Sequence, residues 1–531
     1  MLHGKLPRLR LEKQDEAGET PMKEPGTGSL SRNSFLNFAT QVYSVIIAFA
    51  ALPFIVHGVG PEGFGLLTLL WMFVGYFSVI DFGAGQSALR FLSLGVASRD
   101  VPHLVRTFRM TLRISLSLGM LSAAIVTAVS FTGATGLVRV DEALRPALGP
   151  GLRLLALALP AQLLQISLKS FPMAFNRYGF NSVLQMTSAT VQWVGGAIIA
   201  ATGGGFMGVL LLTVISRYTI AIGYLACAVW LVPEVRHEHS TIPWGALRPF
   251  ISYGGWAAVP QLVSPLFTFL ERLVVGTVLS LVWVTYFTIP SDTVSRFLIF
   301  PMSIVYAAFP VFSGNWISDE GKARVRSVYV RSMKLLTMGI LPVALVLGVF
   351  AREILTMWLG AGLAGNSALP LMIMAAGMVC NVLSQLPVTF LQAVGRPDVP
   401  AKIVLVQAPL YAAALVLFSL KWGIIGTAAA WTLRVSTEML LLTWRTRVIM
   451  KPAQSGTPHW LGPVLTVATL TGLLLLGVQK TIPAVTWMIP ASLLVLCAYS
   501  LAIWRLAMDP GDRQMILNGI LPALGVRSHG S

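Results

Sequence analysis

The sequence predicts an all-α protein that crosses a membrane about fourteen times. Hydrophobic residues make up 55% of the chain, charged residues only 11%, and the mean hydropathy is +0.75. An ordinary soluble domain carries about 25% charged residues. A chain of 531 residues with so few charges cannot cover a water-facing surface. Because lipid offers backbone groups no hydrogen-bond partner, helices are the expected spanning structure.

The apolar runs recur along nearly the whole length, which separates this pattern from a soluble domain with a single anchor. A membrane-spanning helix needs about 20 apolar residues. Glycine and proline mark the joints between runs, as in Gly58–Gly65, Gly203–Gly205 and Gly395–Pro397. The predicted spans are 34–58, 64–93, 107–132, 150–175, 180–202, 205–232, 249–278, 282–314, 328–351, 367–394, 399–420, 422–446, 460–480 and 484–507.

Charge bias between the spans predicts the orientation. An even number of spans places both ends on one side, and cytoplasmic loops are the ones rich in lysine and arginine. With the N-terminus inside, clusters such as Lys322, Arg324 and Arg326 fall on the cytoplasmic side. We therefore expect both termini in the cytoplasm. The opposite side receives only Arg139, Arg145, Arg153, Arg352, Lys421 and Lys480.

The chain also looks internally repeated, as transporter folds often are. Segments Pro172–Gly179 and Pro387–Pro397 each place a proline near the end of an apolar helix, then an amide, then a basic turn with glycine. They lie six predicted spans apart, so we expect two six-helix lobes and two extra C-terminal helices. The predicted units are a disordered cytoplasmic tail (1–32), an N-lobe (33–232), a cytoplasmic loop (233–248), a C-lobe (249–447), spans thirteen and fourteen (460–507) and a cytoplasmic C-tail (508–531).

Several chemical signals have simpler explanations. Segment 58–63 matches the dinucleotide pattern G-x-G-x-x-G, but it follows a membrane span and contains Pro61. A tight extracytoplasmic turn is the better interpretation. The basic residues lie in short clusters rather than in one stripe, which argues against nucleic acid as a partner. The scattered cysteines predict neither a disulfide framework nor a metal site, and the sequence indicates no cofactor. These are Cys227, Cys380 and Cys497.

Charged residues inside predicted spans are the first candidates for function, because a charge at mid-bilayer is costly and usually faces a cavity or a partner. Asp292 and Arg296 are four residues apart, and so are Arg434 and Glu438, so we expect each pair to neutralise itself on one helix face. The full set is Asp81, Arg90, Lys169, Arg217, Glu271, Arg272, Asp292, Arg296, Arg434 and Glu438.

Polar stripes at helical spacing follow spans one, four, seven and ten. Hydrogen bonds between helices are one explanation. A wet cavity between two lobes is the other, and its expected excess of cations suits an anion such as a pyrophosphate. The predicted substrate-binding residues are Lys169, Arg217, Arg272, Arg296, Asn37, Gln41, Gln165, Gln261, Asn381 and Gln385. The ion-coupling candidates, as carboxylates able to exchange a proton or a cation, are Asp81, Glu271 and Asp292.

A family resemblance rests on the segment Asn37–Arg90. After a polar face in span one and Pro53 come Gly58–Leu67, Asp81–Gly83 and Ala88–Arg90. This series resembles the Wzx-type polysaccharide flippases of the multidrug/oligosaccharidyl-lipid/polysaccharide exporter superfamily. The pattern returns more weakly at Gly276, Tyr286 and Phe390–Arg396. The resemblance covers most of the chain and agrees with the two-lobe layout.

The resemblance implies two lobes that alternate between inward-open and outward-open states in a bacterial inner membrane. It implies that an undecaprenyl-pyrophosphate-linked oligosaccharide moves from the cytoplasmic to the periplasmic leaflet, driven by an ion gradient. Membrane lipid, a polysaccharide polymerase and export proteins are the implied partners. The family's charged cavity lining corresponds to Lys169, Arg217, Glu271, Arg272 and Arg296. The lipid II flippases of this superfamily carry an arginine-rich first span, whereas this one has Asn, Gln and Ser there.

Two other functions remain open at this point. An ion-coupled antiporter of small molecules would share the fold, and acid-dominated lobes with a cation requirement would favour it. A membrane enzyme of glycan polymerisation or ligation would need a long periplasmic loop, and the predicted spans leave no such loop. The sequence therefore favours a transporter rather than an enzyme.

Overall fold

A computed structural model describes residues 27–79, 84–131, 145–175, 177–236, 266–298, 319–450, 460–482 and 485–510, with separate residues between 302 and 316 and at 513. Within these ranges every regular element is helical. This agrees with the sequence, in which long apolar runs predict membrane-spanning helices.

The first half of the chain forms helices that match predicted spans one to six. The first helix contains a sharp joint at Gly60 (φ 76°), which divides it into two spans. A π-helical turn, Val191–Gly195, interrupts the fifth span. The helices are α1 Thr27–Val79, α2 Ala84–Ser98, α3 Val101–Phe131, α4 Arg145–Ala156, α5 Ala158–Leu168, α6 Ser170–Ala174, α7 Tyr178–Thr190, α8 Gly196–Ala201 and α9 Gly205–Leu231, followed by a 3-10 turn Pro233–Arg236.

The second half is also helical in its described part. Its longest helix also contains a joint, at Gly423 (φ 60°), and so provides two spans. Both joints have backbone angles that favour glycine, because a side chain there would be strained. The helices are α10 266–278, α11 Leu281–Arg296, α12 Asp319–Val349, α13 Ala351–Leu359, α14 Ala361–Ala393, α15 Asp398–Met450, α16 Leu461–Thr481 and α17 Val485–Leu506.

Within the described ranges, ten helical stretches are long and apolar enough to cross a membrane. The stretch Asp398–Met450 holds two of the predicted spans, and α10 and α11 are the described parts of spans seven and eight. Large apolar side chains lie on the surface, for example Trp487 (70% exposed) and Leu494 (73% exposed). Such a surface requires lipid as its solvent. The predicted fold class is confirmed, whereas the exact lobe boundaries stay predictions.

The core passes from one half of the chain into the other. One cluster of buried residues contains Ile55 and Leu67 from the first half together with Val284 and Phe390 from the second. Where α1 crosses α11, a Cβ atom added to Gly65 would lie 2.1 Å from the carbonyl oxygen of Leu281. Thr285 also donates a hydrogen bond to the carbonyl of Pro61. The two halves therefore meet closely beside the Gly60 joint.

The last two helices pack against α12. Tyr499 on α17 donates to the carbonyl oxygen of Met338 (2.9 Å). The buried Lys334 ammonium pairs with Asp509 just after α17 (2.9 Å). These contacts fix spans thirteen and fourteen to the second half of the chain, on the side of α12.

We predict that Gly65→Ala destabilises the protein. The added methyl group would meet the Leu281 carbonyl oxygen, and overpacking of this kind costs about 1–3 kcal/mol. Gly477→Ala is the matched control, since a Cβ there meets no atom within 4 Å. Thermal unfolding of the detergent-solubilised chain checks both variants. Equal melting temperatures for the two would contradict the close approach.

Candidate functional site

Arg272 and Asp292 form an ion pair between two neighbouring helices. Arg272 at the middle of α10 is 9% exposed, and its guanidinium donates to Asp292 on α11. The sequence predicted that Asp292 would pair with Arg296 on the same helix, and that prediction is wrong. The carboxylate turns toward α10 because Arg272 is the more deeply buried cation and has the greater need of a counter-ion.

Arg296 instead lies between two aromatic rings. Its guanidinium carbon is 5.3 Å from the ring centre of Phe49 on α1 and 5.4 Å from that of Trp193 in the π-helical turn. Cations are attracted to the faces of aromatic rings at this distance. Arg296 thus belongs to the second half of the chain and is held by side chains of the first half. It lies at the contact between the two predicted lobes.

Arg217, on α9, contacts the same π-helical turn. It donates a hydrogen bond to the amide oxygen of Gln192 (3.0 Å), which precedes Trp193 in the π-helical turn. One turn before Arg217, Thr213 accepts a hydrogen bond from the indole of Trp71 (3.1 Å). Trp71 in turn meets Trp193 edge to face, with ring centres 5.7 Å apart. Short π-helical segments are common at functional sites, and here one presents two adjacent side chains to two arginines.

These two arginines lie deep along their helices. Arg217 follows Gly205, the start of α9, by about 18 Å at 1.5 Å per residue. Arg296 ends α11, about 22 Å from Leu281. In a bilayer core of about 30 Å, both positions are far from the aqueous phase at the Gly60 end. Among the described residues, neither arginine has a carboxylate within ion-pair distance.

A small pocket borders Arg296. Its lining includes Phe49, Thr288, Asp292 and Trp358, and its volume of about 10 Å³ is close to the space that one water molecule needs. The two halves of the chain are therefore nearly in contact at this point. In this conformation the pocket holds no room for a sugar.

A second polar cluster lies within the second half of the chain. Glu271 is 2% exposed and accepts a hydrogen bond from the Tyr411 hydroxyl (2.6 Å). Arg434 stacks 5.2 Å from the Tyr411 ring and pairs with Glu438 (3.0 Å). The Arg434–Glu438 pair was predicted from the sequence, and the structure confirms it. Glu271 and Asp292 thus both lie in this half, joined through the adjacent residues Glu271 and Arg272.

The remaining predicted cavity residues are less closely grouped. Lys169 is half-buried at the break between α5 and α6, one turn from half-buried Gln165, whose amide oxygen has no hydrogen-bond partner among the described residues. Gln385 donates to the backbone carbonyl oxygen of Asn381 (3.2 Å), so the Gln385 side chain bonds to its own helix. Gln41 is exposed.

Some predicted residues cannot be placed. Asp81 and Gln261 lie outside the described residues, and so does the side chain of Asn37. The described part of the chain holds no cluster of three metal-ligating side chains.

The aromatic residues of the site were not predicted from the sequence. Phe49, Trp71, Trp193 and Trp358 lie in or beside spans rich in apolar residues, where aromatic side chains attract no notice. A signal was nevertheless present. Tryptophan in membrane proteins concentrates at the two water interfaces, whereas Trp71 and Trp193 fall well inside predicted spans.

Comparisons with known proteins agree with this fold. Residues 30–316 match the family described as polysaccharide biosynthesis protein. A candidate O-antigen transporter of Shigella flexneri is 24% identical over 420 residues, which is 78% of this chain and 97% of the relative. A candidate low-salt glycan biosynthesis flippase of Haloferax volcanii is 20% identical over 414 residues, which is 78% of this chain and 82% of the relative.

Solved structures share the architecture. The lipid II flippase MurJ in an inward closed conformation aligns with a TM-score of 0.68 and 15% identity over 89% of this chain and 98% of that one. An inward-facing multidrug resistance transporter of the MATE family aligns with a TM-score of 0.62 and 15% identity over 84% and 99%. At this identity the likeness establishes the fold.

The predicted resemblance to Wzx-type proteins is confirmed, and so is the prediction of a transporter rather than an enzyme. Because the matched segment covers more than half of the 531 residues, the chain belongs to the polysaccharide biosynthesis protein family.

Proposed function

We propose that the protein is a flippase that moves an undecaprenyl-pyrophosphate-linked oligosaccharide from the cytoplasmic to the periplasmic leaflet of a bacterial inner membrane. The observation that carries the proposal is that adjacent residues of one π-helical turn contact the two arginines, Gln192 holding Arg217 and Trp193 holding Arg296 across the contact between the lobes. Neither arginine has a carboxylate partner among the described residues, so each can exchange its neutral partner for an anion.

The chemistry of such a headgroup fits this site. A pyrophosphate presents several oxygens that accept paired hydrogen bonds from guanidinium groups, and these bonds are stronger in a site that excludes water. Arginine keeps its charge throughout such a site, and its planar group also stacks on aromatic rings. The rings of Phe49, Trp71 and Trp193 offer flat apolar faces to a sugar when the lobes separate. The lipid tail would stay in the bilayer.

The described contacts between lobes support alternating access. Thr285 bonds to Pro61 and Gly65 meets Leu281 at the end of the bundle where the chain turns at Gly60, and Arg296 meets Phe49 deeper in the bundle. The charge bias of the loops assigns this end to the periplasm and both termini to the cytoplasm. The conformation would then be one in which the periplasmic end is closed.

The relatives support the choice of substrate. One is named for O-antigen transport and the other for a flippase in glycan biosynthesis. Both align along most of this chain, and the segment that matches the family includes the helices that hold Arg217 and Arg296. A polysaccharide precursor is the common substrate class, and the two arginines supply the reason for a phosphorylated lipid carrier.

Ion coupling would use the carboxylates of the second half. Glu271 is buried with Tyr411 as its hydrogen-bond donor, and Asp292 holds Arg272. A proton or cation that binds Asp292 would release Arg272 and change the charge beside Arg296. We therefore place energy coupling at Asp292 and Glu271, next to the substrate site rather than within it.

We predict that loss of either arginine slows export. In cells deleted for the protein, Arg296→Gln or Arg217→Gln would restore lipid-linked glycan flipping about 10- to 100-fold more slowly than the wild type, as expected for loss of a charge-assisted hydrogen bond. Arg296→Lys would retain part of the activity. Arg445→Gln is the control, since Arg445 is exposed at the end of α15.

The readout is the amount of lipid-linked glycan that stays in the cytoplasmic leaflet, with the membrane level of each variant measured in parallel. Full export by both Arg296→Gln and Arg217→Gln at wild-type protein levels would refute the assignment of the site. If cells deleted for the protein export glycan normally but fail to release a small cation, the protein would instead be an antiporter.

A second prediction concerns coupling. Glu271→Gln keeps the hydrogen bond from Tyr411 but removes the exchangeable charge, so transport in proteoliposomes should no longer respond to an imposed ion gradient. Basal exchange of substrate should stay within about twofold of wild type, since the arginine site is unchanged. Glu320→Gln, at an exposed position, is the control. A Glu271→Gln variant that responds normally to the gradient would exclude this residue from coupling.

A further inference from the structure

The first span carries a backbone acceptor that its own helix cannot use. In an α-helix the carbonyl oxygen of residue 49 accepts from the N–H of residue 53. Residue 53 is Pro53, which has no N–H, and it lies inside α1. The carbonyl oxygen of Phe49 is therefore left without its helical partner in the middle of a membrane span. Lipid cannot supply one.

Trp358 supplies that partner from the other half of the chain. Its indole N–H donates to the Phe49 carbonyl oxygen at 2.7 Å. The two rings also stack, with centres 4.5 Å apart and planes 23° from parallel. One side chain thus satisfies the backbone of Phe49 and covers its ring.

The position of Trp358 is fixed by its own helix. It lies on the short helix α13, which buries Ala351, Leu355 and Leu359. On the same helix, Glu353 accepts a hydrogen bond from Gln479 of α16 (2.9 Å). Helix α13 is therefore held in place by its contact with the C-terminal helix α16, and its Trp358 side chain contacts the first span.

Trp358 also reaches the arginine site through Phe49. The Phe49 ring that stacks on Trp358 is the ring that lies 5.3 Å from the Arg296 guanidinium. Trp358 and Arg296 line the same small pocket. Movement of Trp358 would therefore free Phe49 and remove one of the two aromatic partners of Arg296.

We infer that Trp358 pins the two lobes together at the Gly60 end and positions Arg296, and that Pro53 makes this possible by freeing the Phe49 carbonyl. The lobe closure follows from contacts in the described chain, whereas the role of Arg296 as substrate ligand rests on the proposed function. When this end opens, water can replace the indole at the Phe49 carbonyl and at the Trp358 N–H. The pin is therefore reversible, because both polar groups stay satisfied in the open state.

The test is a pair of spin labels that report lobe separation without any substrate. Thr202 and Lys421 are exposed and lie beside the equivalent joints at Gly203–Gly205 and Gly423 of the two halves. In the full chain, with Cys227, Cys380 and Cys497 replaced by alanine, cysteines at 202 and 421 carry the labels. Pulsed electron resonance then measures the distance between them.

Trp358→Phe keeps the stacking and removes only the donor. We expect it to raise the ratio of long to short distances about fivefold, the effect of losing one hydrogen bond. Pro53→Ala returns an N–H to the helix, so it should act in the same direction. The double variant should exceed the larger single effect by less than twofold, because both changes remove the same bond. Trp487→Phe, at a lipid-facing position, and Pro409→Ala, in α15, are the controls.

Two results would overturn the inference. One is a distance distribution for Trp358→Phe that matches the wild type, and the other is a double variant whose effect is the product of the single effects. Either could occur while Arg296→Gln still abolishes glycan flipping, in which case the proposed function would stand without the pin. If Trp358→Phe shifts the ratio of long to short distances fivefold but the wild-type protein flips no glycan, the inferred role of Trp358 would stand and the proposed substrate would be rejected.

Discussion

The structure depends on one constraint, which is that a charge inside a lipid-spanning bundle must have a partner. Among the described residues, some buried or half-buried cations have a carboxylate partner and others have a neutral one. Arg272 has the carboxylate of Asp292, Arg434 has Glu438, and Lys334 has Asp509. Arg217 has the amide of Gln192, and Arg296 has two aromatic rings.

This difference separates structural cations from those suited to a ligand. An ion pair inside a protein is costly to break, because the remaining charge is then uncompensated. An amide or a ring is a weaker partner for a guanidinium, and a phosphate can displace it. Arg217 and Arg296 keep such neutral partners, and Arg296 lies where the lobes meet. Both their location and their neutral partners indicate that these arginines are suited to bind a ligand.

Glycine and proline residues determine turns and close contacts of this fold, and some of these features could be predicted from the sequence. The G-x-G-x-x-G segment was predicted to be a turn, and Gly60 indeed has the turn conformation. Gly65 was read only as part of the family resemblance. Its reason is visible in three dimensions, where α11 approaches too closely for any Cβ atom. Likewise the sequence shows Pro53, but only the fold shows which residue uses the carbonyl that it frees.

The helices themselves were predictable because apolar length is a one-dimensional property. The predicted joints at Gly58–Gly65, Gly203–Gly205 and Gly395–Pro397 are where the helices break. Side-chain partners were predictable only within one helix, as for Arg434 and Glu438. For Asp292 the rule of residues four apart failed, because a buried arginine on the neighbouring helix competed for the carboxylate. The aromatic partners of Arg296 come from positions more than 100 residues away, and no local pattern indicates them.

The central claim is that the crevice between the lobes recognises a phosphorylated lipid headgroup through Arg217 and Arg296. Its most direct test is the affinity of the purified full-length chain for a prenyl-pyrophosphate-linked oligosaccharide, compared with the same prenyl glycan joined through a neutral linkage. The account predicts at least about tenfold tighter binding of the pyrophosphate lipid, and loss of that preference in Arg296→Gln. Equal affinity for the two lipids in the wild-type protein would contradict it.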